Sequence, residues 1–373
     1  MTKTYIWQNS HWPNFIWKDK DLILLLSEAR KLQGQLIAQA DLLGLSDQAS
    51  LIADEALNTS AIEGEKLDIQ SLRSSIAKRL HLMAAGSKNT NSKSTDGIVE
   101  VLIDATSNYK KELNLDRIDA WHSALFAASP VNLNIEVGSI RTSDEPMKVL
   151  SGSFEKPIVH FQAPPAKDLQ KELKVFLKWW QQDQKIDGLI RAGIAHLWFV
   201  TIHPYDDGNG RISRALTEMA LAQDEKTGRR LYSISTQILK ERARYYEVLE
   251  RTQKSGVDIT SWLQWFLEIL IKSFTQSQTL IKKSHYLSSF WQKPETERLN
   301  ERQRKVLKKM LETEPDTFMG GMTNKKYVSI TGTSRESAKR DLAELETKGV
   351  LSIEGKGRSV SYQISARFKF KSN

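Results

Sequence analysis

Apolar residues recur at helical spacing through most of the chain, with polar residues between them. Helices are therefore predicted over residues 22–43, 47–58, 68–82, 98–128 as two segments, 166–182, 189–201, 211–223, 236–254 and 259–291. Two short β-prone runs, 147–150 and 158–161, are separated by a Ser-Gly-Ser sequence and predict a hairpin. The pattern predicts a mainly α protein that carries this one hairpin in its body.

The last part of the chain follows a different order. Three predicted helices, at 299–312, 324–330 and 334–348, precede two short strands at 351–354 and 360–364 around a Gly-Lys-Gly-Arg turn. This order predicts a winged helix-turn-helix domain at 297–373. The rest of the chain divides into an N-terminal helical region at 1–85 and a domain at 98–291, joined by a polar connection at 86–97 that is predicted to be disordered.

Composition narrows the class of protein. The 373 residues, 40% of them hydrophobic, are typical of a soluble globular protein with two or three domains. Cysteine is absent, which excludes disulfides, thiolate chemistry and Cys-based zinc sites. The N-terminus lacks the pattern of a signal peptide and no apolar run is long enough to span a bilayer, so we expect a cytoplasmic protein without a membrane partner.

Positive charge is concentrated in the tail. The net charge is +9, and residues 298–373 hold seventeen Lys and Arg against nine Asp and Glu, so nearly all of the excess lies there. A basic module joined to a nearly neutral body suggests nucleic acid or an acidic partner.

Candidate chemistry is densest between the predicted helices at 189–201 and 211–223. Gly208, Asn209 and Gly210 precede a helix N-terminus, where small residues and unpaired N–H groups can cradle a phosphate. Arg211 and Arg214 are three residues apart, hence on one helical face, and each can bind phosphate oxygens through its guanidinium.

Two further side chains complete this stretch. Asp207 can hold Mg²⁺, and His203 has an ordinary pKa suited to proton abstraction near neutral pH. A calcium loop beginning at Asp207 is excluded, because Arg211 would occupy a ligand position and Ile212 the position that needs glycine. A solvated Gly/Asn loop with incidental charges remains an alternative on residue chemistry alone.

The stretch His-Pro-Tyr-Asp-Asp-Gly-Asn-Gly-Arg-Ile-Ser-Arg at 203–214 resembles the signature of the Fic family, His-Pro-Phe-x-Asp/Glu-Gly-Asn-Gly-Arg-x-x-Arg, and departs from it only at Tyr205. The resemblance implies a helical Fic catalytic domain with a hairpin flap at 98–291, and transfer of AMP from ATP to a Ser, Thr or Tyr hydroxyl of a target protein. It assigns His203 as the base, Asp207 as the Mg²⁺ ligand, Gly208, Asn209 and Gly210 as the α-phosphate site, Arg211 as the β-phosphate ligand and Arg214 as the γ-phosphate ligand.

A second motif lies in the N-terminal region. The sequence Thr59-Ser-Ala-Ile-Glu63-Gly64 places a hydroxyl four residues before a carboxylate and ends on a glycine that can stop a helix. On position alone Glu63 is a surface glutamate, but the motif resembles the Fic inhibitory motif. That resemblance implies that Glu63 pairs with Arg214, which we expect to be a bidentate pair, and blocks the γ-phosphate of ATP.

The hairpin and the tail carry the predicted docking surfaces. The hairpin resembles the Fic flap, which aligns a target segment by strand pairing, so Val149 and Leu150 are candidate target contacts; an isolated structural hairpin is the alternative. In the tail, Arg335 and Lys339 are the candidate DNA contacts at the start of the predicted recognition helix. A protein-docking or dimerising module with an incidentally basic surface is equally compatible with the sequence.

The function predicted from these residues is a self-inhibited protein adenylyltransferase that uses ATP and Mg²⁺. Glu63 could instead position a water for the reverse reaction, removal of AMP from a modified protein, and the donor could be another nucleotide or phosphodiester. A DNA-binding transcriptional regulator with a nucleotide-sensing core is the alternative outside enzymes. His122 and His196 are predicted to be structural, and the target protein and oligomeric state, a homodimer included, are left open by the sequence.

Overall fold

The computed structural model describes residues 5–80, 93–127, 135–153, 156–182, 185–312, 318 and 320–370. Most of the predicted connection at 86–97 lies outside the described residues, but its last residues, from Lys93, already belong to a helix. The chain divides into two compact units, Met1–Ser277 and Gln278–Asn373.

The first unit is a helical assembly with one hairpin, so the mainly α prediction is confirmed. Its helices are α1 (Asp19–Ala38), α2 (Leu45–Ile62), α3 (Ile69–Arg79), α4 (Lys93–Ser107), α5 (Leu115–Leu125), α6 (Leu169–Gln181), α7 (Gly188–Ile202), α8 (Asn209–Glu225), α9 (Ile234–Lys240), α10 (Arg242–Gln253) and the part of α11 (Thr260–Trp291) that precedes Gln278. Among the described residues, no helix combines the length and the hydropathy that crossing a bilayer would need.

The centre of this unit is α7, which is buried along nearly its whole length because nearly all of its side chains are apolar. The helix begins at a cap, where the Asp187 carboxylate accepts a hydrogen bond of 2.8 Å from the N–H of Leu189. Gly193 permits close packing of α11, because a Cβ at this position would lie 2.9 Å from the Phe266 ring. Helix α8 packs along α7 and is equally buried, so the loop between the two helices is held at both ends.

Helix α2 is fixed against α9 by buried polar contacts. The carboxylate of Glu55 is 4% exposed and accepts hydrogen bonds from the Ser233 hydroxyl at 2.7 Å and from the Ser235 N–H at 3.0 Å. Asn58 donates to the Thr236 hydroxyl at 2.8 Å. A buried carboxylate is stable only when its oxygens are paired, so these donors fix the position of the C-terminal half of α2.

The hairpin consists of antiparallel strands β1 (Lys148–Ser153) and β2 (Lys156–Gln162), with a register irregularity between Val149 and Leu150. The Ser-Gly-Ser sequence predicted to form the turn belongs to β1, so that detail was wrong and the strand is longer than expected. The base of the hairpin is anchored by a hydrogen bond of 2.7 Å from the Trp7 indole N–H to the Gln162 carbonyl.

The predicted single helix at 236–254 is broken at Glu241, which has φ −114° and ψ 30° and separates α9 from α10. Its N–H still donates to the carbonyls of Gln237 and Ile238. Because apolar residues keep helical spacing on both sides of Glu241, periodicity alone does not reveal the break.

The second unit contains α12 (Pro294–Glu297), α13 (Glu301–Glu312), α14 (Asn324–Thr331) and α15 (Arg335–Thr347), followed by the antiparallel strands β3 (Leu351–Glu354) and β4 (Ser361–Ile364). The buried Asp341 on α15 accepts hydrogen bonds from Arg302 on α13 at 2.8 Å and from the Tyr327 hydroxyl on α14 at 2.9 Å. One carboxylate thus joins three helices. The order of helices and hairpin is the one predicted, and the winged-helix designation stays a prediction.

His196 lies at the middle of α7 as a buried, neutral imidazole. The Thr217 hydroxyl donates its proton to the Ser213 carbonyl at 2.8 Å, so its oxygen accepts from Nδ1–H of His196 at 3.0 Å. Nε2 of His196 then accepts from the Tyr245 hydroxyl at 3.0 Å. Burial lowers the pKa of His196 to about 3.

This geometry predicts a specific dependence of stability on pH. Below pH 6.5 the unfolded state protonates this histidine, whereas the folded state does not until about pH 3. As the pH falls through this range, the free energy of unfolding of the wild type therefore decreases by about 1.4 kcal/mol per pH unit more than that of His196→Gln. The free energy of unfolding, measured in urea over this range, tests the difference in slope. His11→Gln, at an exposed histidine, is the matched control and should keep the wild-type slope. Equal slopes for the wild type and His196→Gln would contradict the neutral, buried assignment.

Candidate active site

The loop after α7 begins with an unusual backbone conformation. His203 caps the helix with φ 52° and ψ 58°, in the left-handed region that few residues other than glycine adopt. Its carbonyl accepts a hydrogen bond of 3.0 Å from Nε of Arg141, while the N–H of Arg141 donates to the Pro204 carbonyl at 2.9 Å. The same buried guanidinium donates to the Pro164 carbonyl at 2.6 Å, so Arg141 ties the base of the hairpin to the loop.

The imidazole of His203 is held as one neutral tautomer. Nδ1 lies 3.1 Å from the Val200 carbonyl and must donate its proton there, which leaves the lone pair on Nε2. None of the described residues hydrogen-bonds to Nε2. Burial lowers the pKa of His203 below its ordinary value, and the positive charge of Arg141 acts in the same direction. The ring lines a cleft of about 630 Å³.

The loop is braced from inside by Asn209. Its side-chain oxygen accepts from the N–H of Tyr205 at 3.0 Å, and its amide donates to the Tyr205 carbonyl at 2.7 Å. The Tyr205 hydroxyl in turn donates to Asp119 on α5 at 2.6 Å. The side chain of Asn209, predicted to bind nucleotide, is thus engaged within the loop, and the group it offers to a ligand is its backbone N–H.

His122 supports the same loop from α5. Nδ1 accepts from the N–H of Gly138 at 2.8 Å, so Nε2 carries the proton and donates to the Asp207 carbonyl at 3.2 Å. Burial lowers the pKa of His122, which favours this neutral form. Gly208 has φ +80°, and a Cβ there would lie 2.9 Å from the Phe126 ring, so only glycine fits.

Several hydrogen-bond donors without an acceptor lie together at the start of α8. Its first N–H groups, those of Asn209, Gly210 and Arg211, have no acceptor within the helix. Arg211 and Arg214 are only 4% and 2% exposed. Nε and Nη2 of Arg211 and Nη1 of Arg214 have no hydrogen-bond partner in the part of the chain that the structure describes. Buried cationic donors beside a helix N-terminus form a site for an anion.

Glu63 lies in this site. Its Oε1 accepts from Nη2 of Arg214 at 2.7 Å, and a Cβ at Gly210 would lie 2.0 Å from the same oxygen, so the carboxylate rests on the first turn of α8. Burial opposes ionisation of Glu63, but the charge and hydrogen bond of Arg214 outweigh it and the pKa is lowered. The expected bidentate pair does not form: only Nη2 of Arg214 donates to Glu63, while Nε donates to the Thr59 hydroxyl at 2.6 Å.

Sequence reasoning missed a second carboxylate. Both oxygens of Glu65 accept from Nη1 of Arg211, at 2.7 and 2.8 Å. The sequence shows only that an acidic residue follows Glu63 by two positions. No rule of spacing connects that residue to an arginine 146 residues further along the chain.

Asp207 is the residue best placed for a cation. Its carboxylate accepts from the N–H of Gly208 at 2.5 Å, and its side chain is 60% exposed. The neighbouring Asp206 points elsewhere, where it accepts from the N–H of Glu136 at 2.9 Å. The described residues contain no cluster of three or more potential metal ligands. A single exposed carboxylate suits Mg²⁺, which keeps several waters and completes its shell with substrate phosphates.

The hairpin closes the cleft on another side. The predicted target contacts Val149 and Leu150 line the same cleft as His203, and Leu150 is 53% exposed. His160 on β2 lies 2.6 Å from the Glu250 carboxylate on α10, which holds the hairpin in place. The candidate DNA contacts, Arg335 and Lys339, belong to the second unit and are both exposed on α15.

The chain matches two family models, the Fic/DOC family over residues 112–221 and a domain of unknown function, DUF4172, over residues 5–82. It is 23% identical over 117 residues to "Probable protein adenylyltransferase aq_aa38" of Aquifex aeolicus, covering 31% of this chain and 34% of that protein. It is 27% identical over 169 residues to "Protein adenylyltransferase fic-1" of Caenorhabditis elegans, covering 44% of this chain and 30% of that protein. The chain thus spans about a third of the length of these curated relatives.

A solved structure extends the likeness. The crystal structure of a Fic family protein from Desulfovibrio desulfuricans G20 matches with a TM-score of 0.55 and 17% identity, covering 93% of this chain and 96% of that chain. At this identity the likeness shows a shared fold. Residues 112–221, which carry His203 and the first turns of α8, are therefore a Fic/DOC family domain within a mainly helical Fic fold.

Proposed function

We propose that the protein is an adenylyltransferase that moves AMP from ATP to a hydroxyl group of a target protein. The observation that carries this proposal is the juxtaposition of a neutral imidazole and an anion site. Nε2 of His203 is unoccupied by any described residue and lines the same cleft as Gly210, where α8 begins. The relatives named as adenylyltransferases support the same reaction class.

The reaction follows from these groups. Nε2 of His203 accepts the proton of a Ser, Thr or Tyr hydroxyl, and the oxygen attacks the α-phosphorus of ATP. A bond forms between that oxygen and the α-phosphorus, the bond from the α-phosphorus to the β-bridging oxygen breaks, and pyrophosphate leaves. The N–H groups of Asn209 and Gly210 stabilise the charge that develops on the α-phosphate. The imidazolium then returns its proton to solvent.

The buried arginines bind the other two phosphates of ATP, and Asp207 binds the accompanying Mg²⁺. Arg211 binds the β-phosphate and Arg214 the γ-phosphate, since both present unpaired N–H donors beside the first turn of α8. Asp207 would hold Mg²⁺, which when bound neutralises phosphate charge and assists departure of pyrophosphate.

Self-inhibition is part of the proposal. The Glu63 carboxylate lies on the first turn of α8 and is hydrogen-bonded to Arg214, so it competes with a phosphate for the same donors. It also places a negative charge where ATP would bring another. Transfer therefore requires that Glu63 leave Arg214, as an incoming γ-phosphate or a movement of the end of α2 would achieve.

A reverse reaction is a second candidate, favoured by the presence of Glu63 and His203 in one cleft. In that reaction Glu63 would orient a water toward the phosphorus of an AMP-modified target. The two directions share the site and differ in whether Glu63 helps or hinders. Substitution of Glu63 therefore separates them.

The hairpin and the second unit each offer a surface for a binding partner. An exposed Leu150 at the irregular part of β1 suits a target segment that pairs as an extra strand above His203. In the second unit, Ser334 caps α15, and Arg335 and Lys339 are exposed on its first turns, as a DNA-reading helix requires. DNA binding, regulation of transcription and a homodimer formed through this unit are proposals that rest on this surface.

The first test is intact mass after incubation with Mg²⁺ and ATP. Glu63→Gly should gain the mass of AMP roughly tenfold faster than the wild type or more, because a hydrogen bond to a charged group contributes about 1.5–3 kcal/mol. The Glu63→Gly/His203→Ala double variant should lose about 10²–10⁴-fold in rate, since the general base is gone.

Equal rates in the wild type and Glu63→Gly would contradict self-inhibition. If Glu63→Gly gains no mass and instead fails to release AMP from a protein that the wild type demodifies, the reverse reaction is correct. A gain that persists without His203 would contradict its assignment as the base.

The second test addresses the tail. Arg335→Ala/Lys339→Ala should weaken binding to a duplex of random sequence and reduce the slope of log affinity against log salt by about 2, one unit for each lost phosphate contact. Fluorescence anisotropy at several salt concentrations measures both. Lys308→Ala/Lys309→Ala on α13 changes the charge equally and should retain the slope. Equal effects of both pairs, or no binding by the wild type, would contradict the assignment of α15 as the DNA-contacting helix.

A further inference from the structure

The second carboxylate of the inhibitory segment has no role in the function proposed above. Glu65 places both carboxylate oxygens within 2.8 Å of Nη1 of Arg211. The arginine side chain is 4% exposed, whereas the Glu65 side chain is 41% exposed. Glu65 thus reaches inward from the surface to a buried cation, which is unlike an ordinary surface ion pair.

The backbone after α2 directs Glu63 and Glu65 toward different arginines. Gly64 has φ +87°, the N–H of Glu65 donates to the Ser60 carbonyl at 3.0 Å, and the N–H of Gly64 donates to the Ala61 carbonyl at 3.0 Å. These bonds form a Schellman motif, whose left-handed residue is best supplied by glycine. The turn reverses the chain, so two carboxylates two residues apart meet two guanidiniums on consecutive turns of α8. Gly64 therefore contributes through its backbone conformation, which directs the two carboxylates, and not through a contact of its own.

Further contacts hold this turn at the edge of the cleft. Nε of Arg242 on α10 donates to the Ile62 carbonyl at 2.6 Å, and the Arg242 guanidinium lies 5.2 Å from the centre of the Tyr246 ring. The segment is therefore fixed before and after Glu63, and the Glu65 contact is part of an ordered turn.

We propose that Glu65 is a second competing carboxylate, which holds Arg211 so that the segment opposes binding of nucleoside diphosphates as well as triphosphates. This inference rests on the proposed function, in which Arg211 binds the β-phosphate. A diphosphate reaches Arg211 but not Arg214. Nε and Nη2 of Arg211 are open to its β-phosphate, but the Glu65 carboxylate on Nη1 neutralises the arginine and repels the phosphate even after Glu63 is displaced. A monophosphate reaches neither arginine and needs only the first N–H groups of α8.

The two carboxylates differ in how readily they leave. The Glu65 side chain is 41% exposed, and its displaced carboxylate is rehydrated easily, whereas the Glu63 side chain is 28% exposed and bound to an arginine that is 2% exposed. Glu65 therefore sets a weak barrier that acts on every nucleotide with a β-phosphate. Glu63 sets a stronger barrier that acts on triphosphates.

Isothermal titration with ADP and with AMP, both in the presence of Mg²⁺, tests the inference on the full chain. Glu65→Gln keeps the side-chain length, removes the charge and should bind ADP roughly three- to fivefold tighter than the wild type, as expected for loss of a partly exposed charge pair. Its affinity for AMP should be unchanged. Glu28→Gln, at an exposed position on α1, removes the same charge away from the cleft and should match the wild type with both ligands.

Four outcomes would overturn the inference. Equal ADP affinity in the wild type and Glu65→Gln would show that Glu65 does not compete with the β-phosphate. Equal tightening for AMP and ADP, or the same gain in Glu28→Gln, would show a general effect of charge. If none of these proteins and not even Glu63→Gly bind ADP or AMP, the nucleotide site itself, and with it the proposed function, is wrong.

Discussion

The architecture of the site depends on two buried guanidiniums at the start of one helix. Arg211 and Arg214 are almost completely removed from solvent, and the helix dipole adds positive potential at the same place. Buried charges of one sign are costly without a counter-charge. The chain supplies that counter-charge through Glu63 and Glu65, and in the proposed reaction a polyphosphate supplies it instead. The same electrostatic need thus supports folding of the resting protein and, in the proposed function, binding of a nucleotide.

The surrounding structure serves to keep the geometry of this site constant. The left-handed backbone at His203 is held by a buried arginine, Arg141, and the loop beyond it is closed by the side chain of Asn209. His122 fixes the carbonyl that precedes Gly208 through a neutral tautomer. These contacts stabilise the loop without touching the position of a ligand. In the proposed reaction, a rigid imidazole beside a rigid anion site needs little reorganisation, which is how preorganised sites lower a barrier.

Much of the fold was predictable because helix formation and burial leave periodic patterns. The ends of α7, α8, α14 and α15 were predicted within a few residues, and the chemistry of the loop followed from the spacing of its glycines, carboxylates and arginines. Pairing across the sequence was not predictable. Glu65 contacts an arginine 146 residues away, and Asp119 reaches a tyrosine 86 residues away. Such partners are determined by the packing of helices, and a single sequence carries no periodic trace of them.

The central claim is that a carboxylate of the chain and a phosphate of the nucleotide compete for Arg214. It is tested most directly by the affinity for α,β-methylene ATP with Mg²⁺. In this analogue a methylene group replaces the oxygen that bridges the α- and β-phosphorus atoms, so AMP cannot be transferred from it. The wild type should be compared with Glu63→Gln, which preserves shape and removes only the charge. Competition predicts that Glu63→Gln binds the analogue roughly tenfold tighter, as expected for relief of a partly buried charge pair. Equal affinity in the two proteins would contradict the claim.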